Sequence, residues 1–315
     1  DTWKLILHTN DSSGCGDLVM DPTNPNKLIE AMWQHQRTPY SFYSGGKGSG
    51  LFITVDGGKN WKKLGKDDGI PGGNLGRIGL TISYNEPTRV YALIEATKNG
   101  LYKSDDGGFS WELVNSNKKD VTNRAFYFQD IRVDPKNENR LYNINQIISM
   151  SEDGGKTFST VIPYSGIHPD HHAFWINPLD PNFILDGNDG GIGISRDRGR
   201  NWNFNERIPV GQFYHIAVDN KIPYNVMGGM QDNGCWHGPA YIWRYGGGIR
   251  NYYWANVGSG DGFETSPDPD DNDWVYSMSQ EGVLQKQNVV TGEQMGIQPP
   301  PPDLKTVLRF NWNAA

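Results

Sequence analysis

The chain predicts an all-β fold, a β-propeller of four-stranded antiparallel blades. Three observations carry this: a turn box that occurs four times, a second strand-turn-strand pattern at blade-sized intervals, and a composition of turn-formers and aromatics with almost no helical periodicity. The box reads TVDGGKNW at 54–61, SDDGGFSW at 104–111, SEDGGKTF at 151–158 and SRDRGRNW at 195–202. Each copy sets Ser or Thr two residues before Asp, Gly two after it, and Trp or Phe three further on. That spacing suits a tight hairpin: the carboxylate accepts turn N–H groups, Gly takes positive φ and the aromatic anchors the returning strand. Asp56, Trp61, Asp106, Trp111, Asp153, Phe158, Asp197 and Trp202 are therefore expected to be structural. Four copies of one acid in one chain argue for architecture over catalysis.

The second pattern places a short apolar strand, a Pro/Asn/Asp turn and another strand. Aligned on Asp21, Ser83, Asp134, Asn177, Asp219 and Asp268, it recurs after 62, 51, 43, 42 and 49 residues, intervals that suit propeller blades of roughly 40–50 residues. The blades are expected at 12–66, 67–117, 118–164, 165–208, 209–256 and 257–315, about six in all. They read as one sector of a seven-bladed or larger, tandem propellers included. The chain opens on DTW, like the tail of another box, and stops at RFNWNAA after a strand-like run. Both ends read as cuts within a longer polypeptide.

The 39 Gly and 19 Pro supply turns, and 11 Trp with 15 Tyr supply wedges between sheets. A net charge of −7 argues against nucleic acid. No apolar run approaches a transmembrane length. Cys15 and Cys235, far apart in sequence, read as unpaired thiols.

The box resembles the Asp-box, or BNR repeat, of sialidases, sortilin (VPS10) propellers and tandem-propeller xyloglucanases. With GRIGL at 76–80, HPDHHAFW at 168–175, GNDGG at 187–191, QFY at 212–214, GGMQDNG at 228–234 and GDGF at 260–263, the chain resembles bacterial secreted sortilin-like repeat proteins labelled glycosyl hydrolases. The resemblance covers nearly the whole chain. It implies an extracellular, periplasmic or cell-surface location and a glycan or peptide ligand. Sialidase activity is not expected, since Gly79 stands where those enzymes carry proline and an arginine triad is missing. The xyloglucanase acid pair maps onto no position here.

In a propeller blade the first turn and the box turn share one face, so a site is expected on the other, among loops carried by a rigid scaffold. Register places Arg77, Asp170, His171, Gln212 and Asp261 at the channel mouth. Two loops join them, 33–50 with Trp33 and His35, and 231–250 with Gln231, Asp232, Asn233, Trp236 and His237. Flat rings beside carboxylates and amides suit sugars. Asp170, Asp261 and Asp232 are the candidate catalytic acids, with Asp189 and Glu95 behind them, and Arg77 is placed to hold a substrate carboxylate. Asp189, in a glycine turn, is a further ligand candidate. His168, Asp170 and His171 or His172 form a candidate divalent-metal set, against the plainer reading of a hydrogen-bonded turn with one histidine facing the channel. A glycoside hydrolase, a sortilin-like peptide or protein binder, and a cell-surface assembly module all remain open.

Overall fold

A computed structural model describes residues 2–121, 124–208, 210–243, 246–303 and 305–313. The protein is a β-propeller whose described residues form six antiparallel sheets in chain order. Two compact units hold them, Asp1–Glu206 and Arg207–Ala315.

The first unit carries four blades. Blade one comprises β1 (Ser13–Asp21), β2 (Asn24–Thr38), β3 (Ser41–Ser44), β4 (Gly50–Thr54) and β5 (Lys62–Lys63), with β3 folded back on the overlong β2. Blade two is β6 (Ile78–Ile82), β7 (Val90–Ile94), β8 (Gly100–Ser104) and β9 (Glu112–Asn115). Blade three is β10 (Asp130–Asp134), β11 (Asn137–Ile144), β12 (Ile148–Ser151) and β13 (Ser159–Ile162). Blade four is β14 (His171–Ile176), β15 (Ile184–Asn188), β16 (Gly191–Ser195) and β17 (Asn203–Asn205). The second unit carries two more. They are β18 (His215–Val218), β19 (Asn225–Met230), β20 (Gly234–Pro239) and β21 (Ala255–Gly258), then β22 (Gly262–Pro267), β23 (Trp274–Ser279), β24 (Val283–Asn288) and β25 (Gln294–Gly296).

Strand alternation explains how blades stack. Along β7, Val90, Ala92 and Ile94 join one core cluster with Ile29, Leu51 and Ile53 of blade one, while Tyr91 and Leu93 join another with Ile131 and Leu141 of blade three. Side chains of period two thus serve two neighbours from one strand buried on both faces. Each such Ile or Leu contributes about 1.5–3 kcal/mol on burial.

The four box turns repeat one geometry. Ser104 Oγ donates to Asp106 Oδ1 (2.7 Å) and accepts Gly108 N–H (2.8 Å), and Asp106 Oδ1 accepts the N–H groups of Phe109 and Ser110 at 3.0 and 2.9 Å. Trp111 Nε1 then donates to Gly108 O (3.0 Å), as Trp202 does to Gly199 O (2.9 Å). The fourth copy carries Arg198 at φ 64° where the others have Gly. Gly108, at φ 99°, lies so close to blade one that a Cβ would sit 2.3 Å from Ile29 Cδ1. The box therefore wedges blade onto blade, and glycine is required by contact as well as by φ.

Box turns and first turns meet at one end of each blade. Gly57, Gly107, Gly154 and Arg198 donate backbone N–H groups to Asn26, Thr88, Asn139 and Asn182, at 2.9, 2.7, 2.9 and 3.2 Å. The starts of the first strands and the ends of the second strands consequently lie at the opposite, loop end.

Candidate functional site

At the loop end of the first unit, the overlong β2 and its partner β3 form a projecting hairpin. Within it Trp33 stacks on His35 (centroids 4.0 Å, planes 18° apart) and donates from Nε1 to Ser44 Oγ (3.0 Å). Ser44 Oγ donates to Glu95 Oε2 (2.6 Å), which also accepts the Arg77 N–H (2.7 Å) and so ties the hairpin to blade two. The Arg77 guanidinium lies 5.4 Å from the Trp33 ring, and its Nη1 donates to both Phe126 O and Tyr127 O at 3.1 Å. Arg77 thus braces the segment before β10 through Nη1.

A row of rings continues from there. Phe42 of the hairpin meets Phe126 (4.8 Å), Phe126 meets Tyr127 (6.3 Å), and Tyr127 meets Phe128 edge-on (4.8 Å). His172 closes the row, edge-on to Tyr127 at 4.9 Å and stacked on Phe128 at 5.2 Å. Phe42 and Phe126 are half-open to solvent, with 36% and 39% of their surface accessible. His172 Nε2 in turn lies 3.8 Å from Asp189 Oδ1.

Asp189 and Asp170 bring carboxylate oxygens within 4.8 Å of each other. Burial, then the neighbouring charge of Asp189, pushes the Asp170 carboxyl above the usual range. Asp170 Oδ1 is buried with no hydrogen bond, in a residue held at φ 61°. Asn188 Oδ1 accepts the N–H groups of Gly190 and Gly191, both at 3.0 Å, and fixes the turn that presents Asp189.

The chain-adjacent histidines part company. His171 is 1% exposed, and its Nδ1 lies 2.8 Å from Asp186 Oδ2 on the paired strand. His168 Nδ1 contacts Pro169 O (3.1 Å). Among the described residues, Asp170 does fall in a carboxylate group with Asp189, while His168, Asp170 and His171 do not converge as a donor set. The reason is strand alternation: His171 turns into the blade and His172 out of it.

Beside this row lie half-buried charges that sequence reading did not single out. Asp130, first residue of β10, pairs with Arg132 and is pushed up to about 6, by burial above all. Asp17 Oδ2 accepts the Leu80 N–H (2.8 Å), and its charge adds to the rise at Asp130.

In the second unit, Gln231, Asp232 and Asn233 form the short turn between β19 and β20, with Asp232 at φ 57°. Asp261 Oδ1 accepts the Asp232 N–H (3.0 Å) and Oδ2 accepts Trp312 Nε1 (2.8 Å). Tyr214 donates to Gln231 Oε1 (2.5 Å) and stacks on Phe263 (5.0 Å). Trp236 and His237 sit on β20 itself and not in a long loop, because the segment pairs with both β19 and β21. Trp236 Nε1 donates to Asn233 O (2.6 Å). His237 is buried, and burial depresses its pKa. Gln212 is exposed ahead of β18. Both Cys15 and Cys235 are free thiols.

No family model matches the chain. It is similar to the xyloglucanase Xgh74A of Acetivibrio thermocellus, 23% identical over 296 residues, covering 78% of this chain and 32% of that protein. The likeness is a distant homology to a xyloglucanase. The chain spans about a third of that relative's length. Among solved structures it is similar to an ancestral GH74 enzyme, at 14% identity and TM-score 0.45, covering 89% of this chain and 37% of that one. It is also similar to YCF48 from Cyanidioschyzon merolae, at 12% identity and TM-score 0.40, covering 91% and 85%.

Proposed function

We propose that this is a secreted, carbohydrate-active propeller that binds a glycan along the loop end of the Asp1–Glu206 unit. The carrying observation is the row of Phe42, Phe126, Tyr127 and His172, backed by the buried Phe128, with the Asp170–Asp189 pair at its end. Sugar rings present flat C–H faces that stack on aromatic planes, and Trp33 on its His35 support offers a second platform. The distant xyloglucanase homology supports the same ligand class.

On this reading the acids act as a hydrolytic pair. Asp170, whose carboxyl burial and then Asp189 push above the usual range, is the proton donor to the glycosidic oxygen, while the Asp189 carboxylate meets the developing positive charge at the anomeric carbon. Oxygens within 4.8 Å leave no room for the interposed water of an inverting enzyme, whose carboxyl groups stand about 6.5–9.5 Å apart, so retention is expected.

Affinity electrophoresis through gels holding plant, algal or bacterial polysaccharides tests the binding half. Wild type should be retarded by at least one of them, and Trp33→Ala or Tyr127→Ala should weaken that retardation about tenfold. A folded wild type that no polysaccharide slows would sink the proposal. The alternative is a sortilin-like peptide or protein binder, which the bare hairpin tip favours, with Tyr40 90% and Tyr43 65% exposed.

A further inference from the structure

Between the β4–β5 edge of blade one and the glycine-rich connection at 64–76 lies a cavity of about 370 Å³, at the small end of ligand-site sizes. Its floor is apolar: Leu64, Ile70 and Leu75 are at most 6% exposed. Its rim is cationic, carrying Lys47, Lys63 and Lys66, and no acid lines it. In a chain of net charge −7, three ammonium groups around one hollow are out of keeping with the rest of the surface. Of the acids on the same connection, Asp68 is held by Lys62 Nζ (2.7 Å) and the Gly65 N–H (2.9 Å), and Asp67 lies outside the lining.

Two of the lysines are seated against glycines. A Cβ on Gly50 would fall 2.9 Å from Lys63 Cε, and one on Gly72 would fall 2.0 Å from Lys66 Cε. Lys63 is pinned further by donating from Nζ to Lys47 O (3.0 Å) and by lying 5.5 Å over the Phe52 ring. Among the described residues, the Lys47 and Lys66 ammonium groups have no acidic partner. The cavity also abuts the site above, since Gly46 N–H donates to Leu75 O (3.2 Å) and Gly45 N–H to Gln34 O, beside Trp33 and Ser44.

We infer that this cavity is an anion subsite for an acidic sugar residue, with the apolar floor under the ring and the lysines around its charged group. Lysine holds an oxyanion as a point charge without demanding one geometry, so a uronate carboxylate and a sulfate ester share the required chemistry. The inference rests on the glycan reading for its ligand and deepens it: the polysaccharide carries acidic groups.

Calorimetric titration with four probes tests it: a neutral β-glucan oligosaccharide, an oligouronide, a sulfated oligosaccharide and inorganic sulfate. At least one acidic oligosaccharide should bind about tenfold more tightly than the neutral one. That advantage should vanish in Lys47→Gln/Lys66→Gln, survive in Lys47→Arg/Lys66→Arg, and shrink between 50 and 500 mM salt, as screening requires. Whichever acid binds more tightly identifies the group. Lysine-dependent sulfate binding without any oligosaccharide binding would leave the anion subsite standing and remove the glycan reading. Acidic and neutral probes of equal affinity, or a Gln variant with unchanged affinity for all four, would overturn the inference.

Discussion

At one end of the Asp1–Glu206 unit, Asp106 receives hydrogen bonds from Ser104 Oγ, from the N–H groups of Phe109 and Ser110, and from Ser110 Oγ. At the other end, Asp170 keeps a buried oxygen with none. Burial opposes ionisation in both. In Asp106 and Asp153 the turn's hydrogen bonds outweigh it and hold the carboxyl down at about 2, whereas in Asp170 the adjacent Asp189 adds to it. The same side chain is held as an anion where donors converge and has its pKa raised where they are missing. The difference between Asp106 and Asp170 thus lies in the donors each carboxylate meets.

The largest expected effect that would break this comparison is on chemistry. Asp170→Asn should lower hydrolysis by about 10²–10⁴-fold, the usual worth of a positioned acid, while Asp106→Asn should leave the rate per folded molecule unchanged. Equal losses in both would erase the distinction. Next comes stability: Gly108→Ala forces positive φ on a side chain and drives a methyl into Ile29, for an expected loss of about 2–4 kcal/mol by denaturant titration. Gly73→Ala, at φ 92° but with nothing within 4 Å of its Cβ, should lose only about 1 kcal/mol.

The pH response should carry opposite signs at the two ends. Box acids, depressed below their unfolded value of 3.8, add stability that is complete above that pH and fades as pH falls towards 2. Asp130, raised to about 6, holds its proton longer folded than unfolded, so stability declines as pH rises from 3.8 through 6. Asp130→Asn should flatten that decline and stabilise at pH 7 by as much as about 3 kcal/mol. Urea titrations between pH 4 and 8 read the slope, and an unchanged slope would show that Asp130 ionises normally.

The fold was legible because its determinants are local and repeated. Ser104, Asp106, Gly108 and Trp111 meet within one turn, and the second pattern marks each blade's first hairpin. Of the candidate residues, register alone carried Arg77, Asp170 and Trp33 to the loop end. Which of His171 and His172 faces outward was not legible, because the partner of His171, Asp186, stands fifteen residues on and invites no pairing in sequence. Phe42 and Phe126 meet only because β2 overruns its blade and returns as β3, an excursion that no repeat announces. The cavity beside Lys66 was equally hidden, since Lys47 comes from one segment and Lys63 and Lys66 from another, and the two converge only after folding.

Reducing-end release from a panel of neutral, uronate-bearing and sulfated polysaccharides, compared among wild type, Asp170→Asn and Asp106→Asn at a temperature where all three are folded, tests the central claim most directly. The account predicts release by wild type and by the box variant, with Asp170→Asn at least a hundredfold slower. Release that survives in Asp170→Asn, or none from any polysaccharide by the folded wild type, would contradict it.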